Sequence, residues 1–358
     1  MKALIAMSGG VDSSAAALCM QRDGCTCIGV TMKLYDNEEI GTGQGSTCCS
    51  LNDVEDARAV CYRLGITHYV VNLKEEFSRM VIDRFVRAYE RGDTPNPCID
   101  CNRFMKFSRL FDKARILDCD VVVTGHYART AYDEKKGVWQ LKKARNTAKD
   151  QSYVLYFLDQ AMLSRVRFPL GEFEDKEQIR QMAQAEGFVN ARKRDSQDIC
   201  FVPDGDYTAF IENRTGISHP PGNFVDASGR ILGQHRGLVR YTIGQRRGLG
   251  LALPAPLYVR SKNYRDNTVL LTPEKDLYTR ELTAGDFNWI PGKPPKEALR
   301  CTARPRYRAP EAPAVAEPLS DGRVRVIFDE PQRAITSGQA VVLYDGENVL
   351  GGGTIQMT

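Results

Sequence analysis

The stretch "MSGGVDSSAAA", residues 7–17, follows the apolar run "ALIAM" (3–7) and leads into an alanine-rich helical segment. A strand, a glycine turn and a helix in that order place backbone N–H groups at a helix N-terminus, where an anion is favoured. Gly9 and Gly10 carry no side chain to obstruct a phosphate, and Ser8, Ser13 and Ser14 add hydroxyls. The loop therefore reads as a pyrophosphate cradle. It lacks the Gly-Lys-Ser/Thr ending of the common nucleoside-triphosphate loop. Asp12 reads as a helix cap or as a magnesium-facing carboxylate.

The surrounding pattern fits such a loop. Strand-like "KALIAM" (2–7), "CIGVTMKLY" (27–35), "HYVVNL" (68–73) and "DVVVTG" (120–125) alternate with helix-period segments, which predicts an α/β fold with a doubly wound parallel sheet. In "NDVEDARAVCYRLG" (52–65), Asn52 reads as the cap with Glu55 three residues on. Val54, Ala57, Cys61 and Leu64 share one face, and Gly65 terminates the helix. "EEFSRMVIDRFVRAYERG" (75–92) repeats the design, with Phe77, Met80, Val81, Phe85 and Ala88 on its apolar face.

Beyond about residue 205 glycine and proline punctuate short pieces, and from about 275 alternating strands such as "GRVRVIF" (322–328) sit between turn signals. Three domains are expected: a catalytic α/β domain over 1–204, a small β-rich central domain over 205–274, and a C-terminal β-barrel over 275–358.

Composition sets outer bounds. The 358-residue chain is 42% hydrophobic and 26% charged, ordinary values for a globular protein, and its net charge of +4 permits a polyanionic partner without demanding one. Apolar runs of membrane-spanning length and signal-peptide patterning are not expected from this reading, so a cytoplasmic protein is. Eleven cysteines without small-domain spacing suit a reducing compartment. Cys19, Cys61 and Cys119 read as core thiols.

Two other cysteine-bearing stretches invite chemistry. "TPNPCIDCN" (94–102) spaces Cys98 and Cys101 as Cys-x-x-Cys before a helix whose N-terminus would lower a thiol pKa. Zinc would need a second Cys or His pair at suitable spacing. "DSQDICFV" (195–202) carries Cys200 among polar residues. "LRCTARPRYRAP" (299–310) sets Arg304, Arg306 and Arg308 at alternate positions, which on a strand would place all three on one face. In "KDQSYVLY" (149–156) Asp150 reads equally as an ordinary N-cap, and Tyr153 and Tyr156 as core.

The SGGVDSS string resembles the signature of the ATP-pyrophosphatase family. Together with "TPNPCIDCN", "TGHYAR" (124–129), "KDQSYVLY", "DSQDICFV" and "YTIGQRRGLG" (241–250), in that family's order, the chain resembles the tRNA 2-thiouridylases over nearly its full length. The resemblance implies an adenine nucleotide alpha-hydrolase-like fold, with ATP and Mg2+ as cofactors. It also implies an enzyme that adenylates the C2 oxygen of the wobble uridine at position 34 and replaces it with sulfur from a cysteine persulfide.

By that resemblance Cys200 carries the persulfide and Cys101 is its partner nucleophile. Ala6, Met7, Ser8, Gly9, Gly10, Val11, Asp12 and Ser13 form the ATP loop, Met32 sits against adenine, and Gly125 touches the nucleotide. Asn96, Pro97 and Cys98 line the pocket of the flipped base. His126 faces the RNA, although a lone histidine reads equally as a helix cap. Lys149, Asp150, Gln151, Arg306, Tyr307 and Gln339 contact tRNA.

Some relatives carry aspartate at the place of Cys98, so a carboxylate role there does not transfer. A rival chemistry, less favoured, has Cys98, Cys101 and Cys200 ligate three irons of a [4Fe-4S] cluster. The expected partners are the anticodon stem-loops of lysine, glutamate and glutamine acceptors and a persulfide donor protein or cysteine desulfurase, with the chain acting as a monomer off the membrane. The competing function is an ATP-pyrophosphatase that amidates or ligates a small metabolite.

Overall fold

The computed structural model describes residues 1–35, 51–193, 199–202 and 205–356. The first domain is built on strands β1 (Lys2–Ala6), β2 (Thr26–Lys33), β3 (Thr67–Asn72) and β4 (Val121–Val123), a hairpin β5 (Ala128–Asp133) and β6 (Val138–Lys143), and a short β7 (Val166–Arg167). Five of these form a sheet of order β3-β2-β1-β4-β7, parallel throughout. The doubly wound sheet expected from the alternation is therefore present. Central β1 is apolar on both faces, with Ala3, Leu4 and Ile5 fully buried, as a sheet covered by helices on both sides requires.

The first-domain helices are α1 (Val11–Arg22), α2 (Leu51–Arg63), α3 (Lys74–Phe77), α4 (Asp83–Glu90), α5 (Pro97–Asp100), α6 (Ser108–Ile116), α7 (Gln160–Arg165) and α8 (Lys176–Ala185). Two readings need correction. Asn52 lies inside α2 and does not cap it, while Val54, Ala57, Cys61 and Leu64 are buried and Gly65 ends the helix at φ +65° as read. The segment 75–92 is not one uniform helix. A wider π-type turn over Ser78–Ile82 separates α3 from α4, and a second one, Cys101–Phe107, separates α5 from α6. Such turns shift the face a helix presents.

Helix α9 (Tyr207–Thr215) opens the next stretch, but its Tyr207, Phe210 and Ile211 pack with Phe77, Phe85 and Phe201 of the first domain. Strands β8 (Gly222–Val225), β9 (Ile231–His235), β10 (Tyr258–Asn263) and β11 (Thr268–Thr272) form a sheet of order β10-β11-β8-β9 over a core of Phe224, Tyr241, Val259 and Leu271.

The last unit comprises β12 (Tyr278–Trp289), β13 (Leu299–Arg304), β14 (Ala312–Pro318), β15 (Val324–Arg333), β16 (Ala340–Asp345) and β17 (Asn348–Gln356). Pairing of β12 with β17 closes it into a barrel. The β5–β6 hairpin of the first domain adds to β17 through Asn348 opposite Lys142 and Val349 opposite Leu141. This splice was not foreseen from the sequence. It fixes the barrel against the catalytic domain by backbone hydrogen bonds as well as by side-chain packing.

The three-arginine strand reading also fails. Strand β13 stops at Arg304, because Pro305 has no N–H to continue the ladder. Arg304 then turns back to donate to the carbonyls of Tyr307 (2.8 Å) and Ala309 (3.2 Å), which leaves Arg306 and Arg308 exposed on the following turn.

Candidate functional site

The loop Met7–Gly10 leaves the carboxyl end of β1 between β2 and β4, where the order of strand connection in the parallel sheet reverses. Ligands of open α/β sheets bind at that crevice. Gly10 is the N-cap of α1, so the N–H groups of its first turn face the loop. The hydroxyls organise the turn. Ser13 Oγ donates to the Gly10 carbonyl (2.9 Å) and accepts from the Ser8 N–H (3.1 Å), and Ser14 Oγ donates to the same carbonyl (3.2 Å).

Gly9 is required for a reason other than phosphate access. Its φ is +76°, and a Cβ there would lie 2.3 Å from the Asp53 carbonyl oxygen of α2. Gly10 by contrast has open space, its nearest would-be neighbour being Ser8 Oγ at 3.5 Å.

Asp12 is not a helix cap. Its carboxylate accepts from the Tyr127 hydroxyl (2.8 Å) and pairs with the Lys176 ammonium (3.1 Å), whose side chain is only 9% exposed. Gly125 abuts the same turn, where a Cβ would come within 2.8 Å of the Asp12 carbonyl carbon and the Ser13 nitrogen. Met32, at the end of β2, is half-buried between two apolar clusters.

Three residues that sequence reasoning missed hold the loop from behind. Asn190, 2% exposed, donates to the Gly9 carbonyl and to Ser14 Oγ, both at 2.9 Å. Lys193 bridges Asp53 (2.6 Å) and Asp56 (2.5 Å) and reaches the Gly9 carbonyl at 3.4 Å. Burial opposes the Lys193 charge, but the two carboxylates outweigh it and raise its pKa. Lys176 is the third. Their one signal in the sequence is position: all three precede the Cys200 motif within 25 residues, a spacing that carries no chemistry by itself.

Cys98 is exposed in the first turn of α5, where Asn96 caps the helix by accepting from the Cys98 N–H (3.2 Å). Cys101 and Cys200 are half-buried thiols that pack on one apolar cluster, together with Met32, Phe104 and Ile199. The fold thus brings both to the neighbourhood of the β2 end. Among the described residues no three His, Cys, Asp or Glu side chains are placed to hold a metal ion. The set Cys98, Cys101 and Cys200 is accordingly not gathered as a three-thiolate site, and Asp12 is occupied by Lys176 and Tyr127.

Residues 1–204 match the family described as tRNA methyl transferase HUP domain, 208–273 its PRC-barrel domain, and 279–355 the aminomethyltransferase beta-barrel domain. The tRNA-specific 2-thiouridylase MnmA of Acetivibrio thermocellus is 49% identical over 99% of both chains. That of Moorella thermoacetica is 50% identical, again over 99% of each. The chain belongs to the tRNA-specific 2-thiouridylase family.

The residues expected to contact RNA are distributed unevenly. Arg306 and Tyr307 are exposed, and Tyr307 stacks edge-on against buried Tyr153. Burial raises the pKa of the Tyr307 phenol, with Asp150 adding to it. Lys149 is exposed. Asp150 is buried and accepts from the N–H groups of Ala144 (3.0 Å) and Ser152 (3.2 Å), but it is not a helix N-cap, since the short helix Ser152–Leu155 begins with Gln151 in that place. Burial raises its pKa against those bonds. Gln151 accepts from the Tyr127 N–H (2.9 Å).

His126 is 8% exposed, shares a 2.8 Å hydrogen bond with Thr124 and packs on Phe107 and Phe168, so it points inward and caps no helix. Gln339 donates to the Thr94 carbonyl (2.6 Å). It braces the loop before Asn96 and Pro97 from the barrel side.

Proposed function

We propose that this protein is an ATP-dependent tRNA 2-thiouridylase, a tRNA-uridine 2-sulfurtransferase acting at the wobble position. The observation that carries the reading is the convergence at one sheet edge: a glycine cradle at the end of β1, and the half-buried Cys101 and Cys200 on the cluster that flanks the end of the adjacent β2. The word methyl transferase in the family description fits this less well, since the cradle and two neighbouring thiols suit activation by a nucleotide followed by sulfur delivery.

The C2 oxygen of uracil is a poor leaving group. Its attack on the α-phosphate of ATP would expel pyrophosphate and leave the oxygen bound to AMP. Val11 and Asp12 N–H groups, in the first turn of α1, and the Ser8 hydroxyl are the donors closest to where that phosphate chain would lie, with Ser13 Oγ shaping the turn by its bond to the Gly10 carbonyl. The outer sulfur of a Cys200 persulfide then attacks C2, loses its proton and displaces AMP, leaving a C2–S–S–Cys200 linkage. The Cys101 thiolate attacks the Cys200 sulfur, which releases 2-thiouridine and leaves a Cys101–Cys200 disulfide for a thiol reductant to reopen with two electrons.

Cys98, on the first turn of α5 beside Asn96 and Pro97, would border the flipped base. A flipped anticodon base costs little to extrude because it is already partly unstacked. Arg306, Tyr307 and Lys149 are exposed for RNA, whereas Asp150, Gln151, His126 and Gln339 act by holding the surface that meets it. ATP enters as a magnesium complex, and the described residues supply no resident metal site. A persulfide donor protein or cysteine desulfurase would load Cys200, and tRNAs for lysine, glutamate and glutamine are the expected substrates. No helix among the described residues is long and apolar enough to cross a membrane.

The test is mass spectrometry of tRNA nucleosides and AMP after incubation with ATP, magnesium and sulfide, using tRNA with oxygen-18 at uridine C2. We expect 2-thiouridine and labelled AMP in equal amounts, with Cys200→Ser losing thiolation but retaining tRNA binding. Unlabelled AMP, or release of pyrophosphate only with a small metabolite, would replace this reading with the amidating or ligating one.

A further inference from the structure

The opposite face of the α5 segment borders a second feature. Asn96, Asp100 and Arg103 recur at helical spacing and line a cavity of about 220 Å³, together with Arg84, Arg87 and Arg91 of the α4 segment. Cys98 and Cys101, out of phase with that set, do not line it. The far wall belongs to the barrel and includes Asp286 and Gly338. The cavity is about seven times the volume one water occupies in the liquid.

Its charges do not cancel. Arg84 pairs with Asp100 (3.3 Å), Arg91 with Asp93 (3.6 Å), and Arg103 with Asp286 (2.5 Å). Arg87 forms no ion pair among the described residues, although it shares a helix face with Arg84 and Arg91 at spacings of three and four. Four guanidiniums thus meet three carboxylates in one cleft, with a surplus of one positive charge. Burial of Asp100 raises its pKa, with Arg84 opposing, so burial works against its compensating charge.

We propose that this cleft seats a single backbone phosphodiester of the RNA substrate, with Arg87 as its principal contact. The assignment rests on the thiouridylase reading and adds a contact to it. A phosphodiester carries one negative charge, which matches the surplus. Pyrophosphate carries more than two negative charges at neutral pH and inorganic phosphate between one and two, so the flanking carboxylates oppose both more than they oppose a phosphodiester. Arginine is the residue suited to bidentate phosphate contact. Position argues the same way: Asn96 lines the cleft and also caps the turn bearing Cys98, so a strand whose base enters on the cysteine side has its backbone within a few residues of Arg87.

The experiment measures binding of an unmodified anticodon stem-loop to wild type, Arg87→Ala and Arg87→Lys across a tenfold range of salt, with inorganic phosphate and pyrophosphate as competitors. For Arg87→Ala the slope of log affinity against log salt should become shallower by about 0.7 to 0.9, the release expected for one phosphate contact. The wild-type advantage then shrinks about sixfold over the range. Arg87→Lys should keep the slope, neither small anion should compete at a few millimolar, and ATP binding and melting temperature should not change.

An unchanged slope in Arg87→Ala overturns the proposal. So does loss of phosphate or pyrophosphate binding with RNA binding intact, which would identify a free-anion site. Failure of the wild type to bind the stem-loop at all would instead count against the thiouridylase reading.

Discussion

Replacing Lys176 by methionine tests the electrostatics of the Gly9–Gly10 loop, because it keeps an unbranched side chain only one atom shorter and removes the ammonium. The ammonium lies 3.1 Å from Asp12, with the lysine side chain 9% and the aspartate 31% exposed. Removing one member of a buried pair costs about 3–5 kcal/mol. Asp12 keeps the Tyr127 hydroxyl and some access to water, so we expect a loss near the lower limit, about 2–3 kcal/mol in denaturant unfolding. The uncompensated carboxylate would also face the incoming triphosphate, and ATP should bind at least tenfold more weakly, equivalent to about 1.4 kcal/mol.

The decisive variant is Asp12→Asn combined with Lys176→Met. With both charges gone, stability should return to within about 1 kcal/mol of wild type, a coupling inside the 0.5–3 kcal/mol range of contacting residues. ATP affinity should recover most of its loss. Calorimetric titration with ATP and urea unfolding read the two quantities separately. If the double variant is no more stable and binds ATP no better than Lys176→Met, the lysine acts by some route other than neutralising Asp12, and the reasoning is wrong.

Gly9→Ala should destabilise the fold: the left-handed φ of +76° costs about 1–2 kcal/mol for a non-glycine residue, before the contact with the buried Asp53 backbone is counted. Wild-type stability in urea would show that the loop relaxes. His126 gives a pH prediction. Burial, assisted by Lys106, holds its folded pKa well below the ordinary 6.5. Above pH 6.5 it is neutral in both states; below, the unfolded chain takes up a proton that the folded one refuses. Its contribution to stability therefore falls by about 1.4 kcal/mol per pH unit from 6.5 down towards the folded pKa. His126→Gln should flatten that part of the profile, and an identical slope in the variant would show the histidine to be protonated in place.

What could be read locally was read well, and what depended on tertiary contact was not. The β1–loop–α1 unit announces itself because one short segment supplies apolar periodicity, glycines and hydroxyls together, and the helical faces of α2 and α4 follow from spacing alone. Asp12 shows the limit. Its neighbours in sequence suggest a cap or a metal ligand, whereas its partners, Tyr127 and Lys176, come from more than a hundred residues away. The strand assigned to Arg304, Arg306 and Arg308 failed at a local signal, Pro305, that alternation was allowed to override.

The loop before Cys98 carries the same argument further. Its conformation is set by the other two units. The Thr94 N–H donates to the Ser337 carbonyl (2.9 Å), Gln339 grips the Thr94 carbonyl, and Ser337 Oγ donates to Asp93 (2.6 Å), all from the barrel side. From the central unit, the Tyr264 hydroxyl donates to the Tyr89 carbonyl at the end of α4 (2.8 Å). Gly338 has to be glycine here, since a Cβ would sit 2.8 Å from that of Asp93 on a backbone of φ +84°. Two prolines stiffen the stretch, but neither directs it, and the hydrogen bonds that do have partners about 245 residues away. The segment that leads into the Cys98 helix is therefore braced from both of the other units. This gives the β5–β6 splice onto the barrel a functional consequence: by fixing the barrel to the catalytic sheet, it fixes the carbonyl and amide that hold Thr94, and through them the helix turn that presents Cys98.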